Sequence, residues 1–158
     1  PFSVLQIAAM GRGHGADFGN SAADFDIAKQ ALELTEVHHL QDRQMASLSG
    51  GEQQRVHMAR VLAQLWDKKD ALLFLDEPTS SLDLKHQFLL FDICKDLAAS
   101  RGFTVVVVLH DLHMAKRVCD TVLMLREGHV FAQGKVDDVI TTEAVSELYE
   151  ISASRVHI

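Results

Sequence analysis

Basic residues are in the minority in this chain: Lys and Arg number 15 against 22 Asp and Glu, which leaves a net charge of −7. That balance argues against a non-specific nucleic-acid binder working through a basic surface, and it suits a partner that is neutral or locally basic. Long apolar runs are also missing. The longest, around Val105 to Leu109, is strand-sized, well short of the roughly 18 residues that a membrane-spanning helix needs. No charged segment leading into an apolar one marks a secretory signal. Cysteine is scarce: Cys94 and Cys119 fall in helix-like segments without metal-site spacing, as expected of reduced core thiols in a cytosolic protein. Internal repeats and low-complexity runs are absent.

What is there is a globular composition, 47% hydrophobic and 23% charged over 158 residues, enough for one domain with a real core. The most informative stretch is Leu72 to Asp83, LLFLDEPTSSLD. Four apolar residues run without alternation into Asp76 and Glu77 and stop at Pro78. Such a run predicts a central strand of a parallel sheet, covered on both faces. Open α/β sheets bind ligands at the carboxyl ends of such strands. Because adjacent strand residues point to opposite sides, Asp76 and Glu77 are expected to do different work, one near a cation and the other facing water or substrate. The same acids also read as a polar strand end capping the next turn, and the stretch alone does not choose.

The chain opens at Pro1 to Met10 in the middle of an apolar pattern, as expected of a segment of something longer. Gly11 to Gly19, GRGHGADFG, matches neither a dinucleotide fingerprint nor a phosphate loop and reads as a flexible connection. Ser21 or Asp24 caps a helix expected to run to about Val37, with Ile27, Ala31 and Leu34 on one face and His38 and His39 near its end. The histidine pair lacks a carboxylate or cysteine at ligand spacing and reads as solvated.

Leu48 to Arg55, LSGGEQQR, is the second informative stretch. Ser49 and Glu52 have capping-box spacing, so a helix starts here and carries Val56, Ala59, Leu62 and Ala63 to about Trp66. Gly50 and Gly51 leave the first turn bare, and a bare helix start with its N–H groups and dipole favours an anion. Glycine costs a helix interior about 1 kcal/mol relative to alanine, so the pair asks for a reason. Close approach of a phosphate is one and a tight turn is another.

Beyond Pro78, Ser80 or Ser81 with Leu82 and Asp83 leads into a helix over about Leu84 to Ala99, with Phe88, Leu89, Asp92 and Lys95 dividing it into two faces. Phe103 to Leu109 is a second buried strand, rich in β-branched residues, and ends at His110. If the two strands are parallel, His110 and the acids share one sheet edge, which moves that histidine from a structural reading toward a base or a phosphate contact. His110 and His113 lack a third metal ligand at suitable spacing. A short helix over Asp111 to Cys119 follows. Thr121 to Leu125 and His129 to Ala132 then form a hairpin of edge strands around Arg126, Glu127 and Gly128, and two short helices lie near Asp137 to Ile140 and Glu143 to Tyr149.

LSGGEQQR, the apolar run into Asp76-Glu77, Ser81-Leu82-Asp83 and the strand ending at His110, in this order, strongly resemble the ATP-binding subunits of ATP-binding cassette transporters. The finer pattern, RVLAQLW, LDLKHQ and LHDLHMA, looks like importers of iron chelates and cobalamin, and among them haem importers. The resemblance implies an α/β fold with a partial P-loop NTPase-like (RecA-like) core and a helical signature subdomain, divided at about 1–68 and 69–158. It implies ATP and Mg²⁺ as cofactors, a homodimer of ATPase subunits, integral-membrane permease partners, an indirect substrate-binding protein, and a place on the cytoplasmic face of the inner membrane. It implies that Ser49, Gly50 and Gly51, with Glu52 and Gln53, form the signature that contacts nucleotide held by the partner subunit. Asp76 would hold Mg²⁺ through water, Glu77 would activate the attacking water, Asp83 would work at the dimer seam and His110 would contact the γ-phosphate.

The chain departs from the family pattern in one respect: no G-x-x-x-x-G-K-[ST] occurs, since Gly134-Lys135 is followed by Val136. The glutamine loop is not recognisable either, Gln6 standing too late for it. Two further readings therefore accompany the transporter ATPase. One is a non-catalytic remnant or interaction module that docks on a permease or lends its signature to an intact partner. The other is a non-transport ATPase of the same superfamily, of DNA-repair or translation-factor type, which the acidic balance and the lack of basic or coiled-coil insertions disfavour.

Overall fold

The computed structural model describes residues 2–13 and 21–157. Three helices that pack on one another open the chain: α1 (Val4–Ala9), α2 (Ala22–Leu34) and α3 (Gly50–Leu65). Each starts at a serine capping box, Ser3 with Gln6, Ser21 with Asp24 and Ser49 with Glu52. In each box the serine oxygen takes an N–H of the first turn, and the side chain at the third helical position takes the N–H of the cap. Alanine is the usual contact residue: Ala8, Ala28, Ala31, Ala59 and Ala63 are fully buried. Gly11 goes further, because a Cβ there would lie 2.1 Å from the carbonyl oxygen of Arg60 on α3. Gly11 and Arg12 therefore sit in a short 3-10 turn pressed on α3, not in a flexible connection; residues 14–20 of that stretch lie outside the described residues. Arg12 fastens the turn with hydrogen bonds to Asp24 (3.3 Å), the Ala63 carbonyl (3.1 Å) and Asp67 (2.7 Å).

Helix α2 stops at Leu34, short of the expected Val37, because Glu36 takes a left-handed conformation with φ 55°. Val37 N–H then returns to the Leu32 carbonyl (2.9 Å) and Glu36 N–H to that of Glu33 (3.0 Å), and both Val37 and Leu32 are fully buried. This is a Schellman closure with its apolar contact, built on a glutamate where glycine is usual. The buried face of α2 is Ala28, Ala31 and Leu32; Leu34, expected on that face, is exposed.

Strand β1 (Leu72–Asp76) and strand β2 (Thr104–Val108) are neighbours in one sheet, joined through helix α4 (Leu84–Arg101) in the manner of a βαβ unit. The expectation of burial on both faces is not met. Leu73 is buried, but Leu72 and Phe74 are 55% and 68% exposed and Val106 is 42% exposed. The apolar run made β1 look fully covered, whereas the chain places cover on one side only. Buried Leu90, Phe91, Cys94 and Leu97 form the inner stripe of α4. Gly102, at φ 71°, ends α4 in the left-handed region, and a Cβ there would meet Asp70 Oδ1 at 2.4 Å.

The chain forms two compact units, Pro1–Val107 and Val108–Ile158. The second holds helix α5 (Leu112–Val118), the antiparallel pair β3 (Thr121–Arg126) and β4 (His129–Lys135), and helices α6 (Val136–Val139) and α7 (Thr142–Tyr149). Glu127 and Gly128, at φ 50° and 78°, make the two-residue turn with both residues left-handed that matches strand twist. Its core is Ala115, Met124, Val136, Val139, Ile140, Val145 and Val156.

Candidate functional site

The start of α3 is exposed at Ser49 and Gly50. Ser49 N–H and hydroxyl both donate to Glu52 Oε2 (2.8 and 2.7 Å), and Glu52 N–H returns to Ser49 Oγ (3.4 Å). The Ser49 side-chain hydrogen bond, with the backbone one behind it, holds the Glu52 carboxyl below the usual range, so it is ionised at neutral pH. Gln53 is turned back on its own element, donating from Nε2 to the Leu48 carbonyl (3.0 Å). Arg55 Nη1 donates to the Thr35 and Glu36 carbonyls (3.2 and 2.9 Å), placing a cation on the negative end of α2.

The two glycines have different reasons. A Cβ on Gly51 would lie 2.7 Å from the Ser81 carbonyl oxygen, a distance that forces something to move, whereas one on Gly50 would meet Ser81 at an ordinary 3.7 Å. So Gly51 is required by the chain's own loop, and Gly50 stays bare on an exposed turn. The segment after β1 is thus seated against the signature-like helix start, and the structure brings LSGGEQQR and Ser81-Leu82-Asp83 together in one unit.

Asp76 is the last residue of β1 and Glu77, at φ 44°, turns the chain out of the strand; both are exposed. The expected separation of the acids by strand alternation therefore does not apply, since Glu77 lies past the strand and its left-handed backbone sets its direction. A non-glycine residue in that region is uncommon and persists where the surroundings hold it. Pro78 behind it is buried. Asp83 caps α4: its Oδ1 accepts from His86 N–H (3.0 Å) and lies 2.8 Å from His86 Nδ1. The backbone hydrogen bond from His86 is the main reason its carboxyl is held below the usual range. His110, exposed just beyond β2, belongs to the second unit, followed by Asp111, whose side chain caps α5 at Met114 N–H (3.0 Å).

Sequence reasoning missed the glutamines that hold the loop. Gln54 Nε2 donates to the Pro78 carbonyl (3.4 Å), and Gln87 Nε2 donates to the carbonyls of Thr79 (3.4 Å) and Leu82 (3.0 Å). No local pattern distinguishes such an amide from a solvated one. His86, which also stands 3.7 Å from Glu36, was legible only as part of LDLKHQ.

Three packed helices, a strand–helix–strand unit, a glycine-started helix seated on the loop after β1 and acids at that strand's end together resemble an ATP-binding cassette. Residues 5–80 match the family model for the ABC transporter. Over those residues the chain is similar to that family, and it has the P-loop NTPase-like fold of the family's ATPases. Among curated relatives it is 42% identical over 156 residues to the hemin import ATP-binding protein HmuV of Hahella chejuensis, covering 97% of this chain and 59% of that protein. It is 44% identical to the protein of the same name from Escherichia coli O157:H7, covering 94% of this chain and 57% of that one. An inward-facing ABC transporter assigned to the metal-chelate type superposes with a TM-score of 0.81 at 33% identity, over 94% of this chain and 58% of that chain. A bacterial cassette solved as a dimer superposes with a TM-score of 0.72 at 29% identity, over 85% of this chain and 57% of that chain. The chain thus spans less than two thirds of the length of the relatives it matches. Among the described residues no helix is long and apolar enough to cross a membrane.

Proposed function

We propose that these residues form the signature-bearing part of an ATP-hydrolysing subunit that energises import of a metal chelate, haem in the first instance, through a membrane permease at the cytoplasmic face of the inner membrane. The observation that carries this reading is the seating of Gly51 on the Ser81 carbonyl, which ties the exposed anion-favouring start of α3 to the loop that leaves the Asp76-Glu77 strand end. Similarity to hemin import ATP-binding proteins supports the cargo, and the dimeric cassette supports a homodimer. The helical part would run over about 1–68 and the α/β part over about 69–158.

In this reading Ser49, Gly50 and Gly51 offer a hydroxyl and helix-start N–H groups to the γ-phosphate bound by the partner subunit. Glu52 and Gln53 keep the turn in shape, through the capping box and the bond to Leu48. Glu77 orients and deprotonates the attacking water, Asp83 sits at the seam between subunits and His110 contacts the γ-phosphate. Asp76 fits Mg²⁺ in one specific sense. It is an exposed carboxylate at the end of β1, and Mg²⁺ typically keeps its waters while taking one or two carboxylates plus substrate phosphates. When bound, the ion neutralises charge on the phosphate oxygens.

The 158 residues contain no G-x-x-x-x-G-K-[ST], and this favours a second reading, a module that lends its signature to an intact partner. Intact mass of the native protein from its source separates the two, because a phosphate loop upstream makes the subunit an enzyme. Glu77→Gln in the native subunit then tests the chemistry. Turnover should fall about a hundredfold or more while ATP binding persists, since a positioned base contributes on that scale. Unchanged turnover removes Glu77 from its role.

A further inference from the structure

We propose that Gln54 is a positioning residue that couples the exposed start of α3 to the turn carrying Glu77. The proposal deepens the reading above, since it concerns how the two functional segments of one chain, the start of α3 and the turn carrying Glu77, feel one another. Within residues 77–83 the backbone closes two turn bonds, Ser80 N–H to the Glu77 carbonyl (3.3 Å) and Leu82 N–H to that of Thr79 (3.1 Å). Such bonds do not by themselves keep a glutamate at φ 44°.

Further support comes from outside the turn. Gln87 on α4 takes the Thr79 and Leu82 carbonyls, and α3 holds two more: Gly51 packs against the Ser81 carbonyl and Gln54 donates to the Pro78 carbonyl. Gly51 and Gln54 are three residues apart on a helix, hence on one face, and that face lies on the turn. The space between Gly51 and the Ser81 carbonyl is too small for even a Cβ, which would come to 2.7 Å, so a shift of the α3 start toward the turn presses on Ser81. Gln54 adds a directional link, to the carbonyl of the residue that follows Glu77. An anion settling at Ser49 and Gly50 therefore reaches the Glu77 turn through one hydrogen bond and one close contact, without passing through α4.

Hydrogen-exchange mass spectrometry of the 158-residue chain without nucleotide tests this, read at peptides spanning residues 77–83, with peptides of α1 as reference. Four proteins are compared: the unaltered chain, Ser49→Ala, Gln54→Met and the double variant. Ser49→Ala loosens the start of α3 and should speed exchange at Ser80 and Leu82 about fivefold when Gln54 is intact. In the Gln54→Met background the same change should speed it less than about twofold, a non-additivity expected only of coupled sites. Should Gln54→Met fail to fold, Gln54→Glu keeps the shape and removes the donor, and the same comparison applies. Equal effects of Ser49→Ala in both backgrounds overturn the proposal and leave Gln54 an ordinary packing residue. Because no ATP enters the measurement, failure of the ATPase reading leaves this test standing.

Discussion

Two adjacent glycines that look interchangeable in the sequence are held to different standards by a single carbonyl. Gly51→Ala places a methyl 2.7 Å from Ser81 O, and overpacking of this kind costs about 1–3 kcal/mol. Gly50→Ala meets only ordinary contacts and should change stability little or improve it slightly, as alanine does in helices. Thermal melts of the two variants, compared with the unaltered chain, check the asymmetry; equal melting temperatures would place the Ser81 contact in doubt. The glycines themselves were legible in the sequence as a demand for a reason. Which reason applies to which residue was not, because it depends on a distant segment, the one around Ser81, coming to rest on the helix. Glu36 and Glu77 were opaque for a related cause: a glutamate at positive φ leaves no compositional trace, so the end of α2 and the direction of Glu77 emerged only from the backbone.

At the scale of elements, helix starts carry the acid sensitivity of the first unit. Asp24 and Glu52, the third helical residues of α2 and α3, and Asp83, the cap of α4, all have carboxyls held below their usual range, through the Ser21 side chain, the Ser49 side chain and the His86 N–H respectively. Glu36 joins them through its pairing with Lys85. A depressed carboxyl binds fewer protons folded than unfolded, so its contribution is present above the ordinary carboxylate range and is lost as pH falls through the folded value. Melting temperature should therefore hold from pH 7 to about pH 5 and fall below about pH 4, near the ordinary carboxylate values. Circular dichroism across that range checks it, and Glu52→Gln, which keeps the capping box but not the titration, should soften the fall. Helix starts, the hairpin and the acids at the strand end could be read from the sequence, because capping boxes, a glycine turn and a breaker are local signals. Burial of β1 could not, because an apolar run states what a strand can bury and says nothing about what packs on it.

Taken as a whole molecule, the chain holds a signature-like helix start and a strand-end acid pair but no phosphate loop, so by itself it should bind ATP with a dissociation constant above about 1 mM. Micromolar affinity by calorimetry on the 158 residues would show that phosphate is held by means other than a P-loop. The exposed apolar side chains of Leu72, Phe74 and Val106 carry a different consequence. Apolar strand surface of this kind invites association, so the 158 residues by themselves should associate faster in solution than they would with that face covered. The time for which such a sample stays monomeric is then a kinetic quantity, a race between shielding and association, that adds to what the caps and helices contribute.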